Sequence, residues 1–121
     1  NFEAIQISNT STNKRLIENE KYSSELGGIS GKPLFNFSTS LQSKFYSIAK
    51  GNPKIIGIGG IENGNDALEK IYNGANAIQL YTGLIFKGPK IIDNINKELI
   101  RVMKQNKIKS IIQLVAKNIK H

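Results

Sequence analysis

Lys54 is followed by IIGIGGI, a short β-branched run that closes on paired glycines at 59 and 60. An apolar run without alternation marks a strand covered on both faces, as in a parallel sheet. The next segment has a helical period. Asn63 or Asn65 offers a cap, Ala67, Leu68, Ile71 and Tyr72 share one face, and Gly74 ends it. Ala77 to Leu80 then starts a second unit of the same build, 22 residues after Ile55, and Tyr81, Thr82 and Gly83 introduce its helix. A chain that alternates strand and helix in this way returns each strand parallel to the last by a right-handed crossover, which predicts an α/β fold.

The flanking sequence extends the pattern. Phe2 to Ile7 is β-rich and stops at the polar cluster Ser8, Asn9, Thr10, Ser11, Thr12. Asn13 to Pro33 lacks a sustained period and reads as a long connection with at most one helical turn, the kind of loop that is usually either functional or disordered. Ser38 or Thr39 is expected to cap a helix whose inner face is Leu41, Phe45, Ile48 and Ala49, with Gly51 and Pro53 as its stop. Gly88 and Pro89 open a longer helix with Ile92, Ile95, Leu99, Val102 and Met103 inward and lysines opposite. A short last helix is predicted around Ser110 to Asn118. Three such units leave two sheet edges and a poorly covered face, so 121 residues make a small open sandwich or part of a larger α/β body. The abrupt first residues favour the second.

Composition removes several chemistries. Cys is absent and the only His is His121, read as a frayed terminal residue, so cysteine nucleophiles, thiolate metal sites and histidine pairs are excluded here and no metal is expected. No run approaches a membrane span, and the first residues lack a signal-peptide pattern. The net charge of +8 points superficially to nucleic acid or an anionic membrane, but 15 of the 17 cations are Lys and no aromatic run offers a stacking platform. The basic excess lies mostly beyond Ile85 and reads as a solvated helix face, with no nucleic acid expected.

In a parallel sheet the loops after Ile7, Ile58 and Leu80 gather on one rim. Ser8, Asn9 and Thr10 offer short donors and acceptors for a planar, amide-rich or carboxylate ligand, or else form a polar turn. Gly59 and Gly60 permit close backbone approach, and their amides can cradle a phosphate. Thr82 and Gly83 stand at an expected helix start, where free amides attract an anion; the plain alternative is turn glycines plus a buried Tyr81. Lys32 could reach a phosphate but reads as flanking Pro33, while Asp66 and Glu69 read as early-turn helix acids rather than catalytic groups. No nucleophile and base pair emerges, so any proton-transfer residue lies elsewhere.

SNTST at 8–12, GGISGKPL at 27–34, KIIGIGGI at 54–61 and NGANAIQLYTGLIFKGP at 73–89 resemble the C-terminal part of class 2 dihydroorotate dehydrogenases, the quinone-linked flavoenzymes of pyrimidine synthesis. The resemblance implies a (β/α)8 TIM barrel, of which residues 1–121 would be about strands six to eight, incomplete on their own and part of a single FMN-binding domain. It implies that Ser8 lies against FMN, that Asn9 and Thr10 hold orotate or dihydroorotate, and that Gly31, Gly60, Tyr81 and Thr82 bind FMN with Gly59 and Gly83 close by. Ser11 and Ile29 depart mildly from the residues common in that pattern, Thr and Leu, without changing the chemistry expected.

The same resemblance places the catalytic serine base, a flavin-contacting lysine, several substrate-binding asparagines and the helical pair that admits quinone in preceding sequence. No catalytic residue is therefore expected here, and this chain alone should not turn over. Membrane association, at a bacterial or mitochondrial inner membrane, is implied only through that preceding region. The residues alone also fit another phosphate- or FMN-binding barrel enzyme, or a basic non-enzymatic module that binds RNA or lipid.

Overall fold

In the computed structural model, which describes residues 2–17, 21 and 24–119, three strands form one parallel sheet in the order β1-β2-β3. They are β1 at Ala4–Ile7, β2 at Lys54–Ile58 and β3 at Ala77–Gln79, each a little shorter than its sequence run. Ile5 lies beside Ile55, and Ile56 beside Ala77. The two-residue period of a strand sends Ile55 and Gly57 to one buried side and leaves Ile56 and Ile58 half-buried on the other. Across that second side Gln6 Nε2 donates to Gln79 Oε1 at 2.5 Å, spanning the central strand.

Four helices cross between and after the strands: α1 at Phe35–Ala49, α2 at Gly64–Tyr72, α3 at Thr82–Lys87 and α4 at Lys90–Gln105. α1 begins earlier than Ser38 or Thr39, the expected caps. Pro33 opens a 3-10 turn at Lys32–Leu34 that runs straight into the helix, because its fixed φ pre-organises a helix start. Ser38 and Thr39 therefore lie inside the helix; Thr39 donates its hydroxyl back to Phe35 O at 2.7 Å, and the Ser38 hydroxyl lies within donating distance of the same oxygen, 3.1 Å away.

The inner face of α1 is also not the one its apolar residues predict. Ser38, Thr39 and Gln42 are buried, whereas Leu41 is 43% and Ile48 83% exposed. The glycine at 57 explains this. A Cβ there would stand 2.7 Å from Gln42 Oε1, so α1 lies close on the sheet with small and amide side chains, and Gln42 Nε2 donates to Lys70 O and Asn73 O at 2.7 and 2.8 Å.

Asn63 rather than Asn65 caps α2, accepting the Asp66 amide at 2.9 Å, and Gly74, with φ of 100°, ends it as expected. α4 packs on α2 through Ile91 and Ile95; with Ile61 and Ala67 they form the core, flanked by Phe35, Leu84 and Leu99. Burial of each isoleucine contributes roughly 1.5 to 3 kcal/mol. Ile91 takes the place expected of Ile92, which is 48% exposed, because the turn at Gly88 and Pro89 sets the helix phase one residue earlier. Lys90, Lys97, Arg101 and Lys104 stand exposed on the far side of α4.

The expected last helix is a 3-10 turn at Ile111–Leu114 followed by turns. Ala116 and Asn118 donate their amides to Ile71 O and Tyr72 O, both at 3.0 Å, so this segment caps the end of α2 instead of winding on. In the long connection a 3-10 turn occupies Lys14–Ile17, and Ser11 and Ile29 pair in an antiparallel bridge. His121 lies outside the described residues.

Candidate functional site

The nine residues singled out as candidates, eight at strand ends and one in the long connection, meet at one cavity of about 400 Å³. Ser8, Asn9 and Thr10 reach it from the end of β1, Gly59 and Gly60 from β2, and Tyr81, Thr82 and Gly83 from β3. Gly31 comes in from the long connection, held there by Ser30 and Thr82: the Thr82 hydroxyl donates to Ser30 Oγ at 3.1 Å. Tyr81, for which burial was the plain alternative, is 70% exposed at the rim.

The cluster after β1 is both a turn and a set of usable groups. Asn9 Oδ1 accepts the Thr10 amide at 2.8 Å, and Ser8 donates to Asn9 O at 3.1 Å. That leaves the Asn9 side-chain NH₂ with no partner among the described residues, a pair of donors suited to a carbonyl.

The glycine turn after β2 answers to a neighbour as well as to a ligand. A Cβ on Gly60 would sit 2.6 Å from Phe35 Cβ and 2.8 Å from the Phe35 backbone, and φ there is 72°. One on Gly59 would meet Ser38 Oγ at 2.9 Å. Glycine is needed because the turn presses on the start of α1, a constraint that ligand approach alone does not reveal. Gly83 follows the same logic, since its Cβ would lie 2.5 Å from Ile61 O.

What the turn presents is backbone. Gly60 and Ile61 are buried cavity-lining residues whose amides bond to no other described residue, and Thr82 and Gly83 contribute first-turn amides that are also unused. Buried amides are almost always paired, so donors left over at a cavity wall fit an anionic ligand such as a phosphate. α3 has only six residues, so its contribution is these local groups rather than a long dipole.

Behind the turn lies a polar cluster that sequence reading did not find. Lys70, on the inner side of α2, is fully buried; its Nζ donates to Ser38 Oγ at 2.6 Å and to Ile58 O at 3.4 Å. Burial pushes its ammonium down from 10.5 to about 8, against the raising influence of nearby Asp66. Asp66 pairs instead with Lys32, at 3.0 and 3.1 Å, and accepts the Glu62 amide at 2.9 Å. Asp66 and Lys32 are thus neither a plain helix acid nor a mere neighbour of Pro33. The available signal was a lysine inside the stripe Ala67, Lys70, Ile71, where a helix of this period buries its side chains. Among the described residues no group of acidic or His side chains gathers to hold a metal, and no helix is long and apolar enough to cross a membrane.

This arrangement has counterparts in known proteins. The family model described as dihydroorotate dehydrogenase matches residues 1–103. The Bartonella tribocorum dihydroorotate dehydrogenase (quinone) is 36% identical over 120 residues, covering 99% of this chain and 33% of that protein. The mitochondrial quinone enzyme of Mus musculus is 39% identical over 104 residues, covering 86% of this chain and 26% of its own length. A crystal structure of the ligand-free dihydroorotate dehydrogenase of Eimeria tenella superposes with a TM-score of 0.89 at 30% identity, over 98% of this chain and 33% of that one. The chain thus spans between about a quarter and a third of the relatives it matches, and its sheet is an arc of their barrel. On this agreement of sequence and structure, the chain belongs to the dihydroorotate dehydrogenase family.

Proposed function

We propose that the protein takes part in oxidising dihydroorotate to orotate with FMN as hydride acceptor and a quinone as final oxidant. In this reading residues 1–121 are the C-terminal portion, about strands six to eight, of one FMN-binding barrel domain. The observation that carries the reading is the convergence of three strand ends on one cavity walled by unused amides and short polar side chains.

The amides of Gly60, Ile61, Thr82 and Gly83, with the Thr82 hydroxyl, hold the FMN phosphate, while Gly31 and Gly59 shape the wall and Tyr81 covers its open side. Ser8 lies against the flavin. The free NH₂ of Asn9 and the hydroxyl of Thr10 orient the substrate ring through its carbonyls. When bound, the flavin supplies the hydride acceptor; the protein supplies position and polarity. The described residues that line the cavity include no carboxylate, histidine or lysine, and this reading assigns the proton to a base in the rest of the barrel. Turnover by these residues alone is not expected. Quinone access and membrane association are likewise assigned to regions of the whole protein beyond this chain.

Flavin titration tests the assignment. Thr82→Ala is expected to weaken FMN binding, and Asn9→Ala to weaken orotate binding with FMN binding retained. Unchanged affinity for FMN in the first variant and for orotate in the second would remove these residues from the site.

A further inference from the structure

Lys70 is a fully buried cation with no ion-paired carboxylate among the described residues, since the one acid near it, Asp66, is taken by Lys32. Unpaired buried charge is destabilising, and an apolar side chain of similar size is usually better tolerated at such a place. The surroundings say what the charge acts on. From β2 it faces the Ile58 carbonyl; from α1, the Ser38 hydroxyl and the Phe35 ring, 5.2 Å from its Nζ. From the turn before α1, Lys32 stands over the same ring at 5.0 Å, and on its own helix Asp66 lies one turn back.

These contacts grip the rear of the glycine turn. Lys70 reaches Ile58 O directly, and Ser38, which accepts from Lys70, shares its one hydroxyl proton between Gly59 O at 3.3 Å and Phe35 O at 3.1 Å. In a planar trans peptide the carbonyl and the following N–H point in opposite directions. Drawing Gly59 O to the rear therefore turns the Gly60 amide forward, to the side where Gly60 lines the cavity.

We propose that Lys70 is a positioning residue for phosphate recognition: through Ser38 and Ile58 it holds the Gly59–Gly60 turn with its amides forward, and its charge favours a phosphate dianion in front of that turn. The inference rests on the phosphate reading given above. It explains why an uncompensated ammonium persists in the interior: the ligand is its counter-anion. Ligand and proton are then linked, so phosphate binding strengthens the hold of Lys70 on its proton, and loss of that proton weakens phosphate binding.

The test compares FMN with riboflavin, which lacks the phosphate, in the flavin-competent form of the protein, whether this chain alone or this chain joined to the rest of a barrel. Affinities are read from flavin fluorescence at pH 7.5 and 9.5, a window above the second ionisation of a phosphate monoester near pH 6. Wild-type preference for FMN over riboflavin should fall several-fold across that window, as Lys70 passes its pKa of about 8. Lys70→Met should lower the preference roughly tenfold at pH 7.5, within the usual range of coupling between sites, and make it flat with pH. Its flavin-free unfolding temperature should be equal or higher, the reverse of what a purely structural lysine predicts.

A wild-type preference that does not change with pH overturns the proposal without need of any variant. So does a Lys70→Met protein that keeps its preference. Absence of any preference for FMN over riboflavin at pH 7.5 would instead defeat the phosphate reading itself.

Discussion

The turns after β2 and β3 face the same cavity, yet they are shaped by different means. The turn at Gly59 and Gly60 is held from behind by side chains, Lys70 and Ser38, and pressed against the first residue of α1. The turn at Tyr81 to Gly83 has no such polar backing among the described residues. It is set by backbone contact, the approach of Gly83 to Ile61 O, and by one hydroxyl bond to Ser30. A buttressed turn can be perturbed remotely and electrostatically, whereas a packed one responds only to bulk at its own residues.

The largest effect is expected where bulk meets the buttressed turn. Gly60→Val places a branched side chain against Phe35 backbone at a left-handed φ of 72°. It should cost about 3 kcal/mol or more in unfolding free energy, beyond its effect on flavin, because neither the turn nor α1 can retreat without breaking the other. Denaturant unfolding measures this. A variant that keeps wild-type stability would show that the contact with α1 does not constrain the turn.

Next is the pH dependence of stability. Lys70 holds its proton less tightly in the folded chain, with a pKa of about 8 against 10.5. Between those values the unfolded chain binds more protons, so unfolding becomes less favourable as pH rises, by at most about 3 kcal/mol. The cost of the buried charge is present in full below pH 8 and relieved by pH 10.5. Other lysines titrate in the same range, so the difference between wild type and Lys70→Met isolates the contribution. Parallel curves for the two proteins would mean that the buttress carries no charge.

Sequence reading located the strands, the rim and the glycine turns because their signals are local: a β-branched run can only be covered on both sides, and a glycine pair after it breaks the strand wherever it occurs. α1 was misread because its inner face is decided by a distant residue. With Gly57 bringing the helix close, Ser38, Thr39 and Gln42 fit where Leu41 and Ile48 do not, and no period within α1 carries that information. Lys70 escaped for a related reason. A lysine on a short helix is taken as solvated, and its burial follows from the packing of α1 and α2 together. Ile91 and Ile92 differ by one step of helix phase, which the turn before α4 fixes.

For the packed turn, Thr82→Ala should weaken FMN binding by about 1 to 3 kcal/mol, the range for losing a hydrogen bond to a charged group. Its effect on stability should be small, since the hydroxyl bonds only to Ser30, which is exposed. Binding isotherms at fixed salt measure the first and thermal unfolding the second. A loss of stability equal to the loss of affinity would make this turn as deeply built as its neighbour and erase the contrast between them.

The smallest effect separates the inner and outer parts of the buttress. Lys32 is bonded to Asp66, but its side chain is 53% exposed, so the pair is largely screened by water and salt. Lys32→Gln should cost under about 1 kcal/mol in stability, less still at high salt. Asp66 keeps the Glu62 amide as a partner and remains close enough to Lys70 to favour its proton. The preference for FMN over riboflavin should therefore change far less in Lys32→Gln than in Lys70→Met. If the two variants lose that preference equally, the exposed lysine is itself part of the phosphate's surroundings, and the boundary between wall and buttress must be drawn one residue further out.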